Sequence, residues 1–134
     1  MKSLEIRSTT VGYRIVQRLA GVIAEQVDSG GKTLKEKSTR AAYLCKADLV
    51  SQVVGEFPKL QGVMGRIYAK VAGEAEDVAA AIEEHYRPVY SGGALPESEV
   101  GAVLAVADKI DSICGCFCVG LIPVSYTHLT LPTN

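Results

Sequence analysis

Several side chains in this sequence are of types, and at spacings, that admit chemistry. Asp48 shares a helical stripe with Leu44 and Cys45, an awkward place for a carboxylate. Asp108 interrupts the apolar run Ala102-Val103-Leu104-Ala105-Val106-Ala107, and Asp111 follows one turn later on the same face. A carboxylate in apolar surroundings needs a partner, because an unpaired buried charge is costly. A metal ion, a basic side chain or a helix N-terminus can serve, and Lys46, Arg66 and Lys109 are at hand. Structural ion pairing is the simpler of these readings. His85 stands in Glu83-Glu84-His85-Tyr86, and the sequence has only one other histidine, His128. A lone histidine near a helix C-terminus usually acts as a cap or a surface residue. Cys114, Cys116 and Cys118 form a CxCxC run, whereas structural zinc sites favour pairs spaced CxxC. Only Cys45 remains to complete four thiolates, so small cysteines packed beside Gly115 and Gly120 are expected instead. No Ser-His-Asp arrangement, P-loop or GxGxxG is present, and Gly62–Gly65 and Ser91-Gly92-Gly93 are too short to cradle a phosphate.

The elements that must position these groups read as helices. Ile15, Leu19, Val22, Ile23 and Val27 mark one face of a helix over residues 12–27, which Asp28-Ser29-Gly30-Gly31 should end. A second helix is predicted over 38–54, capped by Ser38 or Thr39, with Ala41, Leu44, Cys45, Leu49 and Val53 as its stripe. Phe57-Pro58 breaks the pattern, and Pro58 opens a third helix through Tyr68 that Gly73 closes. A fourth spans 76–86, stopped by Arg87-Pro88. A fifth starts at Pro96 and runs through Val103, Val106, Ile110 and Ile113. Strand alternation is not sustained anywhere, so the expected fold is all-α with about five helices.

At 134 residues the chain has room for one domain. Lys plus Arg number 14 against 15 Asp plus Glu, a net charge of −1, which argues against a free-standing nucleic-acid binder but not against an RNA role within a larger assembly. The 48% hydrophobic fraction with 22% charged residues describes a foldable chain. Trp is absent and aromatics make up 6%, so the core must come from Ala, Val, Leu and Ile. Neither a membrane-spanning run nor a secretory signal is evident. Three cysteines crowded into five residues do not make a disulfide framework, so a cytoplasmic setting is expected.

Several blocks carry a more specific signal. Leu44-Cys-Lys-Ala-Asp-Leu-Val50 and Val54-Gly-Glu-Phe-Pro-Lys-Leu-Gln-Gly-Val-Met-Gly65 resemble the bacterial glycyl-tRNA synthetase beta subunit family. The resemblance continues through Ala79–Pro88, Ala94-Leu95-Pro96, Ala107–Asp111 and Gly120-Leu121-Ile122-Pro123. It implies a fragment of a ligase subunit that supports ATP-dependent attachment of glycine to its tRNA. The alpha subunit would carry the adenylation site with ATP and magnesium, and the beta subunit would handle tRNA. Implied partners are the alpha subunit and glycine tRNA, with neither membrane nor DNA. The fragment itself would hold no cofactor and no catalytic residue. Arg14, Arg18, Lys46, Lys59, Arg66 and Lys70 are its candidate contacts to the tRNA backbone.

In that family the region is similar to HD-type phosphohydrolase domains, which bind metal through histidines and aspartates. By that resemblance residues 1–123 form an HD-like helical domain in which Asp48, His85 and Asp108 fall at degenerate HD positions. Ala47 stands where the histidine of the His-Asp pair is needed, so no working metal centre is expected. Residues 124–134 depart from the family pattern and resemble translated adapter sequence, so they are expected to be a non-native tail. Two other functions compete: a metal-dependent HD-type phosphohydrolase, and a non-catalytic helical interaction module.

Overall fold

Alanine is the best helix former and the smallest side chain that still buries a methyl group, so an alanine-rich sequence favours closely approaching helices. The computed structural model describes residues 2–27, 32–118 and 120, with side chains from residue 14 onward. Among these residues there are six α-helices and no strand: α1 Lys2–Val27, α2 Lys32–Leu44, α3 Gln52–Glu56, α4 Val63–Val71, α5 Glu76–Glu84 and α6 Glu99–Cys118. Short 3-10 turns at Ala47–Val50 and Pro58–Leu60 flank α3. The all-α expectation therefore holds, with one short helix more than foreseen. Helices α1, α2, α5 and α6 pack on one another, and α4 lies against α5. Ala20, Ala24, Ala41, Ala79, Ala81 and Ala107 are all buried in the core, with Ile82 and Leu104 its largest fully buried apolar side chains.

Several predicted stripes are rotated. On α1 the buried face is Val16, Ala20 and Ala24; of the predicted stripe Leu19 and Ile23 pack half-buried beside it, whereas Ile15, Val22 and Val27 are exposed. Alanines seat this helix against its neighbours, so the buried face is shifted from the one that the large apolar residues mark. On α6, Val100, Val103, Leu104 and Ala107 are buried, while Val106, Ile110, Ile113 and Phe117 line an exposed stripe. The second predicted helix starts earlier, at Lys32, and stops at Leu44, so Ser38 is a buried mid-helix residue and not a cap. The chain turns at Cys45-Lys46, and Leu49 and Val53 end up exposed. Ser51 then opens α3, its hydroxyl accepting from the Val54 amide at 3.2 Å.

Gly62 takes φ +84°, which separates the Pro58–Leu60 turn from α4 and breaks the single helix predicted there. Gly73, at φ +88°, closes α4 as expected. Its amide bonds the Lys70 carbonyl at 3.1 Å, and the Glu74 amide bonds that of Ala69 at 3.0 Å, a Schellman ending. Helix α6 begins at Glu99, three residues beyond Pro96, because Ser98 supplies its cap: the hydroxyl accepts from the Gly101 amide at 3.0 Å. Residues 28–31 and the expected tail, 124–134, lie outside the described residues.

Candidate functional site

The first α4 residues leave backbone N–H groups without intrahelical partners. Asp48 meets them. Its Oδ2 accepts from the amides of Gly62 at 2.6 Å and Gly65 at 3.2 Å. The turn at 45–50 is what carries this carboxylate beneath α4. Gly65 must stay bare, since a Cβ there would stand 2.8 Å from Ile82 Cγ2 and 3.2 Å from Asp48 Oδ2. Asp48 is thus a buried helix cap supplied from another element, and its second oxygen, Oδ1, has no hydrogen-bond partner among the described residues.

A second polar centre joins the C-terminal ends of α2 and α5 to the middle of α6. His85, fully buried, places Nδ1 2.5 Å from the Ile82 carbonyl, which can only accept, so Nδ1 carries the proton. Nε2 is left to accept from the Lys46 ammonium at 3.0 Å. The same ammonium lies 3.4 Å from Asp108 Oδ1 and 4.2 Å from the centre of the Tyr86 ring. Burial, reinforced by Lys46, pushes the His85 imidazole down to about 4, so it is neutral near pH 7. Burial also works against the Lys46 ammonium, but Tyr86 and Asp108 outweigh it and hold its pKa above the ordinary lysine value. Around this centre, Gln61 donates to the Tyr86 hydroxyl at 2.8 Å. Lys109 donates to the carbonyls of His85 and Arg87 at 3.2 and 2.9 Å, closing the C-terminal end of α5.

Asp48, His85 and Asp108, the three positions expected to be HD-like, fall into two settings. His85 and Asp108 meet through Lys46, while Asp48 is committed to α4. A divalent cation would need the imidazole nitrogen and the Asp108 carboxylate that Lys46 already holds, and would have to approach a fixed ammonium. Among the described residues no three His, Cys, Asp or Glu side chains gather as a metal-binding group. The donor set does not fit a metal centre. The cysteines divide as well: Cys45 is buried, its thiol pushed up to about 12 by burial, whereas Cys114 and Cys118 are exposed, contrary to the packing expected of them.

Sequence reasoning missed Glu84 and Ser98. Glu84 is buried, and its Oε2 accepts from the Ser98 hydroxyl at 2.8 Å and the Ser98 amide at 3.2 Å, so that a carboxylate from α5 braces the start of α6. A serine just ahead of an apolar helical run was the available signal. The six basic candidates separate. Lys46 is engaged as above. Arg66 donates to Glu83 at 2.7 Å and Glu76 at 2.9 Å, and Lys70 pairs with Glu76 at 3.1 Å. Lys59 is exposed on its turn, and Arg14 and Arg18 are exposed on α1.

Comparison with known proteins bears on this architecture. A family model described as glycyl-tRNA synthetase beta subunit matches residues 9–127. The chain is 54% identical over 111 residues to a glycine--tRNA ligase beta subunit of Geobacter sulfurreducens, covering 83% of this chain and 16% of that one. It is 56% identical over 109 residues to the corresponding protein of Desulforapulum autotrophicum, covering 81% and 15%. A third, from Geotalea uraniireducens, is 57% identical over 105 residues, covering 78% and 15%. The chain thus spans about 15% of the length of these relatives.

Proposed function

Because the chain belongs to the glycyl-tRNA synthetase beta subunit family, we propose that it is a non-catalytic helical support within a ligase that joins glycine to its tRNA using ATP. On this reading residues 1–123 are an HD-like domain whose former reactive positions have become structural. ATP and magnesium act on the alpha subunit. The alpha subunit and glycine tRNA are the partners, and the assembly works in the cytoplasm.

One observation carries the reading: the side chains suited to chemistry are already committed to one another. The Lys46 ammonium takes up the His85 imidazole and Asp108, and Asp48 is spent on the amides of α4. What the arrangement does well is fix helix ends. Asp48 secures α4, Glu84 and Ser98 secure α6, and Lys109 secures α5. A support of this kind affects rate by holding other parts in place, since a small misplacement of a contact can cost a large factor. The same centre weighs against the phosphohydrolase reading, because a fixed positive charge lies between the two groups that a metal would need.

The test is the equivalent of Asp108→Ala in a full-length beta subunit assembled with its alpha subunit, with glycine-dependent pyrophosphate exchange and tRNA charging measured side by side. Exchange per assembled complex should persist while stability or assembly falls. Loss of exchange in a folded, assembled variant would contradict the support role.

A further inference from the structure

Six basic residues are candidates for touching an RNA backbone, and the structure separates them by what each already holds. Arg66 and Lys70 face Glu76 and Glu83, and Lys46 is turned into the protein. A phosphate would have to displace a carboxylate at each of the first two and break a half-buried network at the third. Arg14 and Arg18, like the isolated Lys59, differ: none has a hydrogen bond or ion pair among the described residues, and only the two arginines stand together on one element. They sit four positions apart on α1, one above the other, at a separation of about 6 Å along the axis. That is comparable to the step between successive phosphates on one strand.

Both line a groove of about 670 Å³ between α1 and α2. Of its eight lining residues all but Gly21 and Val22 are polar or charged. Gly21 leaves the α1 surface bare, with Lys35 Cε 3.6 Å from where a Cβ would stand. Gln17 ties the helices together by donating to the Thr39 carbonyl at 3.3 Å. Lys35 pairs with Glu25, the one carboxylate in the lining. The groove thus sets three cations against one acid in a chain whose net charge is −1. Guanidinium pairs in such a concavity match the bidentate geometry of phosphate oxygens.

We infer that the α1–α2 groove is the surface by which this domain follows an RNA backbone, with Arg14 and Arg18 as the phosphate-binding pair. The inference rests on the ligase reading for its choice of RNA over an acidic protein segment, which the same charges would also attract.

The test is binding of a glycine tRNA transcript to the intact chain by fluorescence anisotropy, repeated from 50 to about 200 mM salt. Each phosphate contact contributes about 0.7–0.9 to the slope of log K against log salt, so Arg14→Ala with Arg18→Ala should lower the slope by about 1.4–1.8. Arg14→Lys with Arg18→Lys should restore most of the slope. Lys59→Ala with Lys70→Ala, which removes the same formal charge elsewhere, should lower it by well under half as much. Equal losses in the two alanine pairs would overturn the groove assignment while leaving an RNA role for the domain. Binding of polyglutamate as tight as tRNA at equal charge would overturn the choice of RNA. Native chain that fails to bind tRNA at 50 mM salt would overturn the inference, yet would leave the support role, tested by pyrophosphate exchange, untouched.

Discussion

Replacing Asp48 should unfasten α4 from the rest of the bundle. In Asp48→Ala the buried amides of Gly62 and Gly65 lose the carboxylate oxygen that accepts from both. Loss of a capping side chain typically costs about 1 kcal/mol. A buried donor left without a partner costs about 1–3 kcal/mol. The carboxylate also faces the positive end of the helix, worth up to ~2 kcal/mol where partly buried. These contributions overlap, and removing Asp48 also relieves the burial of Oδ1, which has no hydrogen-bond partner among the described residues. The expected loss is therefore about 2–4 kcal/mol. Asp48→Asn keeps an oxygen for Gly62 but removes the charge, and should cost about 1–2 kcal/mol by the same reasoning. Urea unfolding of the chain, followed by far-UV circular dichroism, measures both variants. Amide exchange at Gly62 and Gly65 localises the effect, and these amides should lose protection in the alanine variant before those of α6 do. An alanine variant within 0.5 kcal/mol of the parent, or unchanged exchange at Gly62 and Gly65, would refute the capping argument.

Three further outcomes follow from the same structure. Stability should be highest above pH 6.5 and decline as pH falls toward 4, because His85 is neutral in the fold and binds a proton more readily in the unfolded chain; urea midpoints across that window should show a slope of no more than ~1.4 kcal/mol per pH unit from this residue. Lys46→Met should cost about 2–3 kcal/mol at pH 7 through lost charge-assisted bonds to His85 and Asp108, and it should flatten the acid limb, since Lys46 helps hold the imidazole pKa down. Gly101→Ala should cost about 1–3 kcal/mol in thermal or urea unfolding, because its Cβ would stand 2.4 Å from Glu84 Oε2 and 2.8 Å from the Ser98 hydroxyl.

The course of α5 and the ends set by Gly73 and Phe57-Pro58 were legible in the sequence, because glycine, proline and early acids act on their own neighbours. The break at Cys45-Lys46 was not. Leu44, Leu49 and Val53 keep a helical spacing straight through it, and only burial shows that the last two face outward. Asp48 stood out as a misplaced carboxylate, but the amides it serves lie 14 and 17 residues downstream. Lys46 reads as an available partner for the carboxylates, and it does pair with Asp108, but nothing local shows that the fold also brings His85 to it from 39 residues away. The partners of such groups are chosen by tertiary packing, and no local pattern encodes them. The rotation of α1 has the same origin: neighbouring helices select Ala20 and Ala24 for their small size, although hydrophobicity alone favours Val22 and Val27.

The ammonium between His85 and Asp108 belongs to the polypeptide, and this sets the terms on which the centre is kept filled. A cation recruited from solution is subject to mass action: its contribution grows with the logarithm of its free concentration and vanishes under a chelator. A tethered charge has no dissociation constant against the bulk. It is present in every copy of the domain as soon as α2 and α5 meet, whatever the supply of metal in the cell. Its loss requires deprotonation or a codon change. The centre is thereby inherited as sequence, and its upkeep passes from ion homeostasis to translation itself.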